Sequence, residues 1–470
     1  MIASGALTAE EIVDLCRRHT LFEWGTQQVT PMAIARGEGC YLYTVDGDRI
    51  LDFNSIAMNA NIGHGDQRVT DAVAAQMADI AFVSPFMATE VRARVAHKLA
   101  EVTPAGMSTS FFTLAGADAN EVAIRTARLV TGRQKILTRY RSYHGGSRQA
   151  LAASGDPRRR PVESGIGDIV RLPDPYHYRF GDGASPSEFR DANLRQIEEI
   201  IRLEDPDSIA AILVEPITGS NGLIVPPEGW LAGLSHLCQH YGVLLICDEV
   251  MSGFGRTGAW FACDHEGVSP DIMTVAKGIT SGYVPLGACV VSDEIAAALA
   301  DVPIGSGLTY QSHPVGLAAA AATLAIYESD DLIARSAERG RYLLAGLRQL
   351  QDDHPSVGDV RGKGLFAAIE LVYDRQSREE LLPLDSPPGP ESVAVSSAMA
   401  EVFARRGLFS VLRGPWLFAN PPLVVTDDQI DWALEVFDEA LGHADKATSA
   451  AGAPPPPHLD RAFPLRRSNP

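Results

Sequence analysis

From residue 111 onward the sequence keeps returning to one unit: a short apolar run, a polar or glycine-rich turn, then a helical stretch. The runs are SFFTL, KILTRY, AAILVEP, LLICDE, IMTVA and ACVVS. Runs this apolar suit strands buried on both faces, and strands that alternate with helices build a mostly parallel sheet covered by helices. Such sheets gather ligands at the carboxyl ends of their strands. The residues that end each run are therefore the ones to inspect.

One end is unusual. LLICDEVMSGFGRTG (244–258) sets Asp248 and Glu249 directly after a buried run and before a glycine-rich loop. A buried, unpaired carboxylate costs several kcal/mol, so a cationic partner is expected for one of the two. The lysines narrow the search, because the chain has only Lys98, Lys135, Lys277, Lys363 and Lys446, and arginine carries the rest of its positive charge. Only the amine can be neutralised and act as a nucleophile. Lys98 lies in an amphipathic helix beside Arg92 and Arg94, Lys135 precedes a strand, Lys363 sits in a turn, and Lys446 is near the chain end. Lys277 differs: it follows the buried run DIMTVA and precedes GITSGYVPLGA. Burial at a strand end depresses an amine's pKa and makes it a usable nucleophile for a carbonyl.

A lysine that holds an aldehyde cofactor and an aspartate on a pyridinium nitrogen form the pyridoxal phosphate arrangement. The cation missing beside Asp248 would then be the cofactor ring. Glu249 is expected to make a structural contact to its own loop. A phosphate needs a cradle, and SFFTLAGADANEVAIRTARLV offers a strand, the small turn Ala115-Gly116-Ala117 and a helix N-terminus. Free N–H groups and the helix dipole suit an anion there. Tyr143, in RYRSYHGGS, could stack on a flat ring, and Glu215 ends another strand in ILVEPITGSNG. A plain strand-to-helix connection and a packed loop tyrosine would look the same.

Composition removes other classes. With 40 Lys and Arg against 59 Asp and Glu, the formal net charge is -19, the wrong sign for phosphate backbones, so nucleic acid is excluded as a partner. No apolar run approaches the ~18 residues of a membrane span. The start, MIASGALTAEEIVDLCRRHT, is acidic and amphipathic rather than a signal peptide, and a cytoplasmic protein is expected. The six cysteines form no C-x-x-C pair and read as buried thiols rather than a disulfide or metal framework.

Together these stretches resemble the class III (omega-type) aminotransferases, pyridoxal phosphate enzymes of fold type I. The resemblance runs from about residue 22 to 440 and includes GEGCYLYTVDGDRILDF, NIGHG, GADANEVAIRTAR, SYHGGS, EPITGSNG, TYQSHPVGLAAAAA, VRGKGLF and NPPLVVTDDQI. It implies a mostly parallel seven-stranded sheet in a large domain (69–325) and a smaller α/β domain drawn from both chain ends (1–68 and 326–445). A flexible tail is expected over 446–470. The resemblance makes Lys277 the Schiff-base lysine and proton carrier and Asp248 the pyridinium partner. Val250 faces the ring opposite Tyr143, Gly116 and Ala117 bind phosphate through their backbone, and Glu215 lies beside the cofactor. Arg256 matches an arginine of the loop after the aspartate. Thr309, in GLTYQSHP, matches a threonine that binds the phosphate of the neighbouring subunit, which implies a homodimer or a dimer of dimers with sites at the interface.

HTLFEWGTQ and the insert GDPRRRPVESGIGDIVRLPDPYHYR are most similar to the taurine, β-alanine and ω-amino acid branch, with pyruvate or 2-oxoglutarate as acceptor. There Trp24 lines the way into the substrate pocket, Arg413 binds a substrate carboxylate, and Trp416 shapes the same pocket. The chain departs from the family at Leu114, Ala115 and Asp118 and at Met251. Three readings follow. The first is an aminotransferase working by a ping-pong mechanism. The second is a relative that redirects the cofactor, as a mutase, racemase, decarboxylating enzyme or specialised biosynthetic aminotransferase acting on a ketone or aldehyde. The third is a binding protein without activity. Intact Lys277 and Asp248 favour the first two.

Overall fold

A computed structural model of the chain describes residues 6–23, 27–161, 167–384 and 389–450, with 449 and 450 described in their backbone only. The large sheet has seven strands in the spatial order Thr109–Thr113, Gly287–Val291, Ile272–Val275, Leu244–Asp248, Ile209–Val214, Lys135–Arg139 and Ile169–Leu172. Gly287–Val291 runs antiparallel to both neighbours, and the remaining pairs are parallel. Six strands match the apolar runs. The seventh, Ile169–Leu172, lies at the edge and comes from the insert; it is only four residues long, and Arg171 interrupts its apolar run.

The centre of the sheet is dry. Every residue of Ile209–Val214 and of Ile272–Val275 is buried, as expected for strands covered on both faces. Helix Gly116–Thr131 covers one face through Val122, Ala123, Ile124 and Ala127. It ends on Gly132 in the left-handed region (φ 70°), the common glycine stop.

Both chain ends build the smaller layers. The hairpin of Tyr41–Thr44 and Arg49–Asp52 pairs Tyr41 with Leu51 around an Asp-Gly turn, and Leu408–Phe409 joins its edge in parallel. A second antiparallel sheet orders Val357–Lys363, Phe366–Asp374, Trp416–Ala419 and Leu412–Arg413. Residues 446–450, expected to open the tail, instead continue the last helix, Asp427–Ala450. Apolar side chains carry that helix inward as far as Ala444 and Ala447. The rest of the expected tail, 451–470, lies outside the described residues.

Arg256 sits at the seam between the layers. Its fully buried guanidinium donates to the carbonyls of Leu365 (3.0 Å) and Pro421 (2.5 Å), to Ser55 Oγ (3.0 Å) and to Asn61 Oδ1 (2.7 Å). Burial lowers its pKa to about 10. The loop after Asp248 is thereby fastened to residues from both chain ends.

Candidate active site

Three parallel strands end side by side, and each leaves a titratable group at or just past its carboxyl end: Glu215, Asp248 and Lys277. Asp248 is 3 % exposed and fully engaged. Its Oδ2 accepts from Asn120 Nδ2 (2.8 Å) and lies 2.7 Å from His144 Nδ1, while Oδ1 accepts from the Val250 N–H (3.0 Å). Asn120 is oriented in turn by Thr274 Oγ1, which donates to its Oδ1 (2.8 Å), and by the His144 carbonyl (2.8 Å). Asp248 thereby orients the imidazole, whose Nε2 faces Thr138 Oγ1 at 3.3 Å.

Lys277 sits two residues past Val275 with φ 42°, a left-handed conformation rare for a side chain of its size. Burial lowers its amine to about 8; Asp248 and Glu215 oppose the shift, and Arg158 reinforces it. Glu215 accepts from the Tyr143 N–H (3.0 Å) and the Gly219 N–H (2.7 Å), so it holds the tyrosine loop in place. Burial raises its pKa.

These groups line a cavity of about 380 Å³. Opposite the strand ends lie Gly116 and Ala117, at the start of a sixteen-residue helix whose N-cap is Ala115, with no side-chain oxygen over the first-turn N–H groups. The turn admits nothing larger than glycine at 116, because an added Cβ would come within 2.9 Å of both Val250 methyls. Tyr143 and Val250 both line the cavity. Its contents are thus a nucleophilic amine, a hydrogen-bonded carboxylate, an open helix N-terminus, and an aromatic and an aliphatic side chain. That set fits a phosphorylated, aldehyde-bearing pyridine.

Glu249, beside Asp248, lines no part of the cavity. Its Oε1 accepts from the Cys263 N–H (2.8 Å) and its Oε2 from the Ser252 hydroxyl. Burial pushes its pKa up to about 7.

A second pocket, about 580 Å³, opens from Lys277, Tyr143 and Met251 toward the small domain. Arg413 reaches it, with Nη2 donating to Asp156 Oδ2 at 2.5 Å. Trp416 lines neither cavity. It is buried against Gly222, with Nε1 3.3 Å from Glu370 Oε2, and clusters with Met58, Met251 and Phe418, which themselves line the outer pocket. The indole has a polar atom to satisfy and Glu370 supplies the acceptor inside, so Trp416 supports the pocket from the rear rather than facing a substrate. Thr309 is exposed and is not among the residues around its own chain's cavity. Trp24 lies outside the described residues.

Several contributors escaped the sequence. Asn120 reads there as part of a helix start and His144 as a companion of Tyr143. Asp156 and Arg158 are hidden in an insert. Asn54, Ala57 and Met58 wall the outer pocket from a segment with no catalytic pattern. The one available signal is DPRRR, an acid and a proline opening a run of arginines.

The family model for aminotransferase class-III matches residues 24–441. Diaminobutyrate–2-oxoglutarate transaminase of Halomonas elongata is 34 % identical over 441 residues, covering 89 % of this chain and 92 % of the relative. Taurine–pyruvate aminotransferase of Rhodobacter capsulatus is 35 % identical over 431 residues, covering 87 % and 91 %. Among solved structures, taurine:2-oxoglutarate aminotransferase from Bifidobacterium kashiwanohense, in complex with PLP and glutamate, superposes with a TM-score of 0.90 at 36 % identity. That match covers 94 % of this chain and 99 % of the other.

Proposed function

The chain belongs to the class III aminotransferases, and from that membership we propose that it moves an amino group from an amine or ω-amino acid to pyruvate or 2-oxoglutarate with pyridoxal phosphate as cofactor. The observation that carries this reading is the convergence of Asp248, Lys277 and the helix start at Gly116 on one cavity. Bound there, pyridoxal phosphate supplies an aldehyde for the donor's amine and an electron-withdrawing ring beside the carbon that loses its proton.

The protein's own residues do the rest. Asp248, held by Asn120 and His144, would face the ring nitrogen and favour its protonated form. Gly116 and Ala117 would offer backbone N–H groups to the phosphate. Val250 and Tyr143 would bound the ring, and Glu215 fixes the Tyr143 backbone. Lys277 Nζ, lowered to about 8, is close enough to neutral at physiological pH to take the α-proton and return it to the other carbon of the exchange. Such positioned proton transfer contributes ~10²–10⁴-fold.

We further propose a cytoplasmic homodimer in which Thr309 reaches the neighbouring subunit's phosphate. Supporting this, Phe86 is 100 % exposed, and Met87 and Tyr310 are exposed near Phe82, whose ring lies 5.5 Å from that of Tyr310. Contiguous exposed apolar side chains, as Phe82 and Tyr310 are here, mark interaction surfaces. Among the described residues no helix is long and apolar enough to cross a membrane.

The test is a panel of amines offered to the holoprotein with pyruvate and with 2-oxoglutarate, following cofactor absorbance and keto acid consumption. Amino transfer coupled to stoichiometric keto acid use is expected. Conversion of a substrate without keto acid consumption would transfer the reading to the mutase, racemase or decarboxylase class.

A further inference from the structure

The strand ladder that aligns the three strand ends stops short of the lysine. Its last pair there, Val275 with Ala288, leaves Ala276 and Lys277 beyond the sheet, and Lys277 opens the tight helical turn Lys277–Ile279. The turn is closed by its own hydrogen bonds, from the Ile279 N–H to the Ala276 carbonyl (3.0 Å) and from the Thr280 and Ser281 N–H groups to the Lys277 and Gly278 carbonyls (3.3 Å each). These fix the shape of the turn but not where it sits. A left-handed residue as large as lysine persists only where its surroundings hold it there.

The hold comes from helix Pro314–Ser329. Its Tyr327, fully buried, donates its hydroxyl to the Gly278 carbonyl at 2.7 Å. Burial raises the pKa of that hydroxyl, so it remains a donor. The ring lies nearly parallel to that of Phe254 (centroids 6.1 Å apart, 17°) and edge-on to that of Trp260 (5.9 Å, 73°). Phe254 is itself left-handed, with φ 56°, and its carbonyl accepts from Asn61 Nδ2 at 3.1 Å. Gly278 is pressed against both residues, since an added Cβ would come within 2.7 Å of Asn61 Nδ2 and 2.9 Å of the Phe254 Cβ. The loop after Asp248 and the turn that carries Lys277 are thus packed together, and Tyr327 touches both.

We propose that Tyr327 is a positioning residue for amino transfer: through the Gly278 carbonyl its hydroxyl holds the strained turn in place, and so sets the direction in which Lys277 Nζ enters the inner cavity. This rests on the aminotransferase reading above. Tyr327 lines neither cavity, so it acts on the rate of proton transfer by Lys277 and leaves donor affinity alone. Its two parts have separate tasks. The ring fills the core between Phe254 and Trp260, and the hydroxyl places the turn.

The test compares wild-type holoenzyme with Tyr327→Phe, which keeps the ring, and Tyr327→Leu, which removes ring and hydroxyl. Steady-state kinetics with β-alanine and with neutral n-propylamine are set beside urea unfolding. Loss of a buried hydrogen bond corresponds to roughly a tenfold change in rate. Both variants are expected to lose about that factor in kcat with both donors, with KM within about threefold. Stability should follow the ring instead, falling less in Tyr327→Phe than in Tyr327→Leu. Wild-type kcat in Tyr327→Phe would overturn the proposal, as would a kcat that falls in step with stability across the series. Tyr327→Phe differs from the native residue by a single oxygen, so the comparison stands even if Tyr327→Leu does not fold.

Cofactor uptake gives a reading that does not depend on turnover. Pyridoxal phosphate is added to the full-length chain freed of cofactor, and its absorbance is followed from about pH 6 to about pH 10. Borohydride reduction and mass spectrometry then establish that Lys277 has taken it. The charged groups facing Lys277 are Asp248, Glu215 and Arg158, and neither substitution touches them. In the wild type the rate should rise through about 8, where burial places the amine. In Tyr327→Phe uptake should be slower by about the same tenfold factor, with its midpoint moved upward, because an amine released from a dry setting regains water. An unchanged rate and midpoint would reduce Tyr327 to a packing residue and overturn the proposal. If the wild type takes up cofactor at Lys277 but transfers no amino group to any keto acid, the function itself has failed, and the uptake series still decides whether Tyr327 holds the lysine.

Discussion

The inner cavity is lined by residues that close adjacent strands of one sheet, whereas the outer pocket draws on stretches as distant as Glu23 and Phe418. In the inner cavity, ladder hydrogen bonds set the height of each strand end. Ile246 pairs with Ile272 and Asp248 with Thr274, so Asp248 and Lys277 can sit in only one relation. Around the outer pocket a short ladder with Leu417 and Trp416 sets Leu412 and Arg413, whereas the walls at 54–58 and 156–158 depend on loop packing and the Arg413–Asp156 bridge. The difference separates chemistry from selectivity. What must be placed closely rests on the sheet, and what changes with the donor rests on loops.

The sharpest way to break this division is Lys277→Ala. If the inner cavity alone performs the reaction, amino transfer should fall by at least the ~10²–10⁴-fold that positioned proton transfer supplies. The drop should appear equally for every donor, since selectivity resides elsewhere. Single-turnover absorbance with β-alanine and with propylamine measures it, and thermal unfolding should show the fold retained. A loss confined to one donor would mean that the two cavities share the chemistry.

The inner region's scaffold gives a smaller effect with a distinct pH signature. Glu249 has its folded pKa raised by burial from 4.5 to about 7. Between these values the folded protein holds a proton that the unfolded chain has released, so stability falls as pH rises from about 4.5 through 7. At ~1.36 kcal/mol per pKa unit the full cost is about 3 kcal/mol above pH 7. Glu249→Gln, neutral throughout, should therefore gain on the wild type by up to about that amount between pH 5 and pH 8. Urea unfolding at the two pH values measures it. A pH-independent difference would show that Glu249 stays ionised and that its contacts with Cys263 and Ser252 suffice to hold the charge.

These two acids also show what a sequence can disclose. Asp248 and Glu249 are neighbours with the same charge, and the strand pattern singles out both. Only the amine of Lys277 at another strand end distinguishes them, because chemistry needs a partner while a structural carboxylate needs only nearby N–H and O–H groups. Six of the seven strands were legible for a related reason, since apolar runs are local patterns. The edge strand Ile169–Leu172 was not, because it is only four residues long and Arg171 interrupts its apolar run. Asp156 and Arg158 could not be paired with Arg413 from the sequence, because 257 residues separate the ends of the Arg413–Asp156 bridge. Trp416 was assigned to the pocket from its proximity to Arg413. Trp416 is the cross-strand partner of Arg413, but its indole is taken up by burial against Gly222 and the contact with Glu370 Oε2.

The smallest expected effect lies in the outer wall. Ser55, Ile56, Ala57 and Met58 run consecutively through the left-handed region, with φ of 47°, 42°, 63° and 56°. For an L-residue this costs roughly 1–2 kcal/mol, and a β-branched side chain there is a particular outlier. The wall is held by hydrogen bonds beyond it: Ser55 Oγ donates to the Asn420 carbonyl (2.6 Å) and accepts from Arg256 Nη2 (3.0 Å). Ile56 itself is 40 % exposed, so it contributes strain with limited burial. Ile56→Gly removes that strain at the cost of ~0.5–1 kcal/mol of added freedom in the unfolded chain. The net expectation is a gain of up to about 1 kcal/mol in urea unfolding, with kcat for propylamine unchanged. Repeating the measurement across protein concentration makes the result decisive. A loss that deepens at high concentration would place Ile56 against a second subunit, and the outer wall would then owe its shape to assembly instead of to the hydrogen bonds of Ser55.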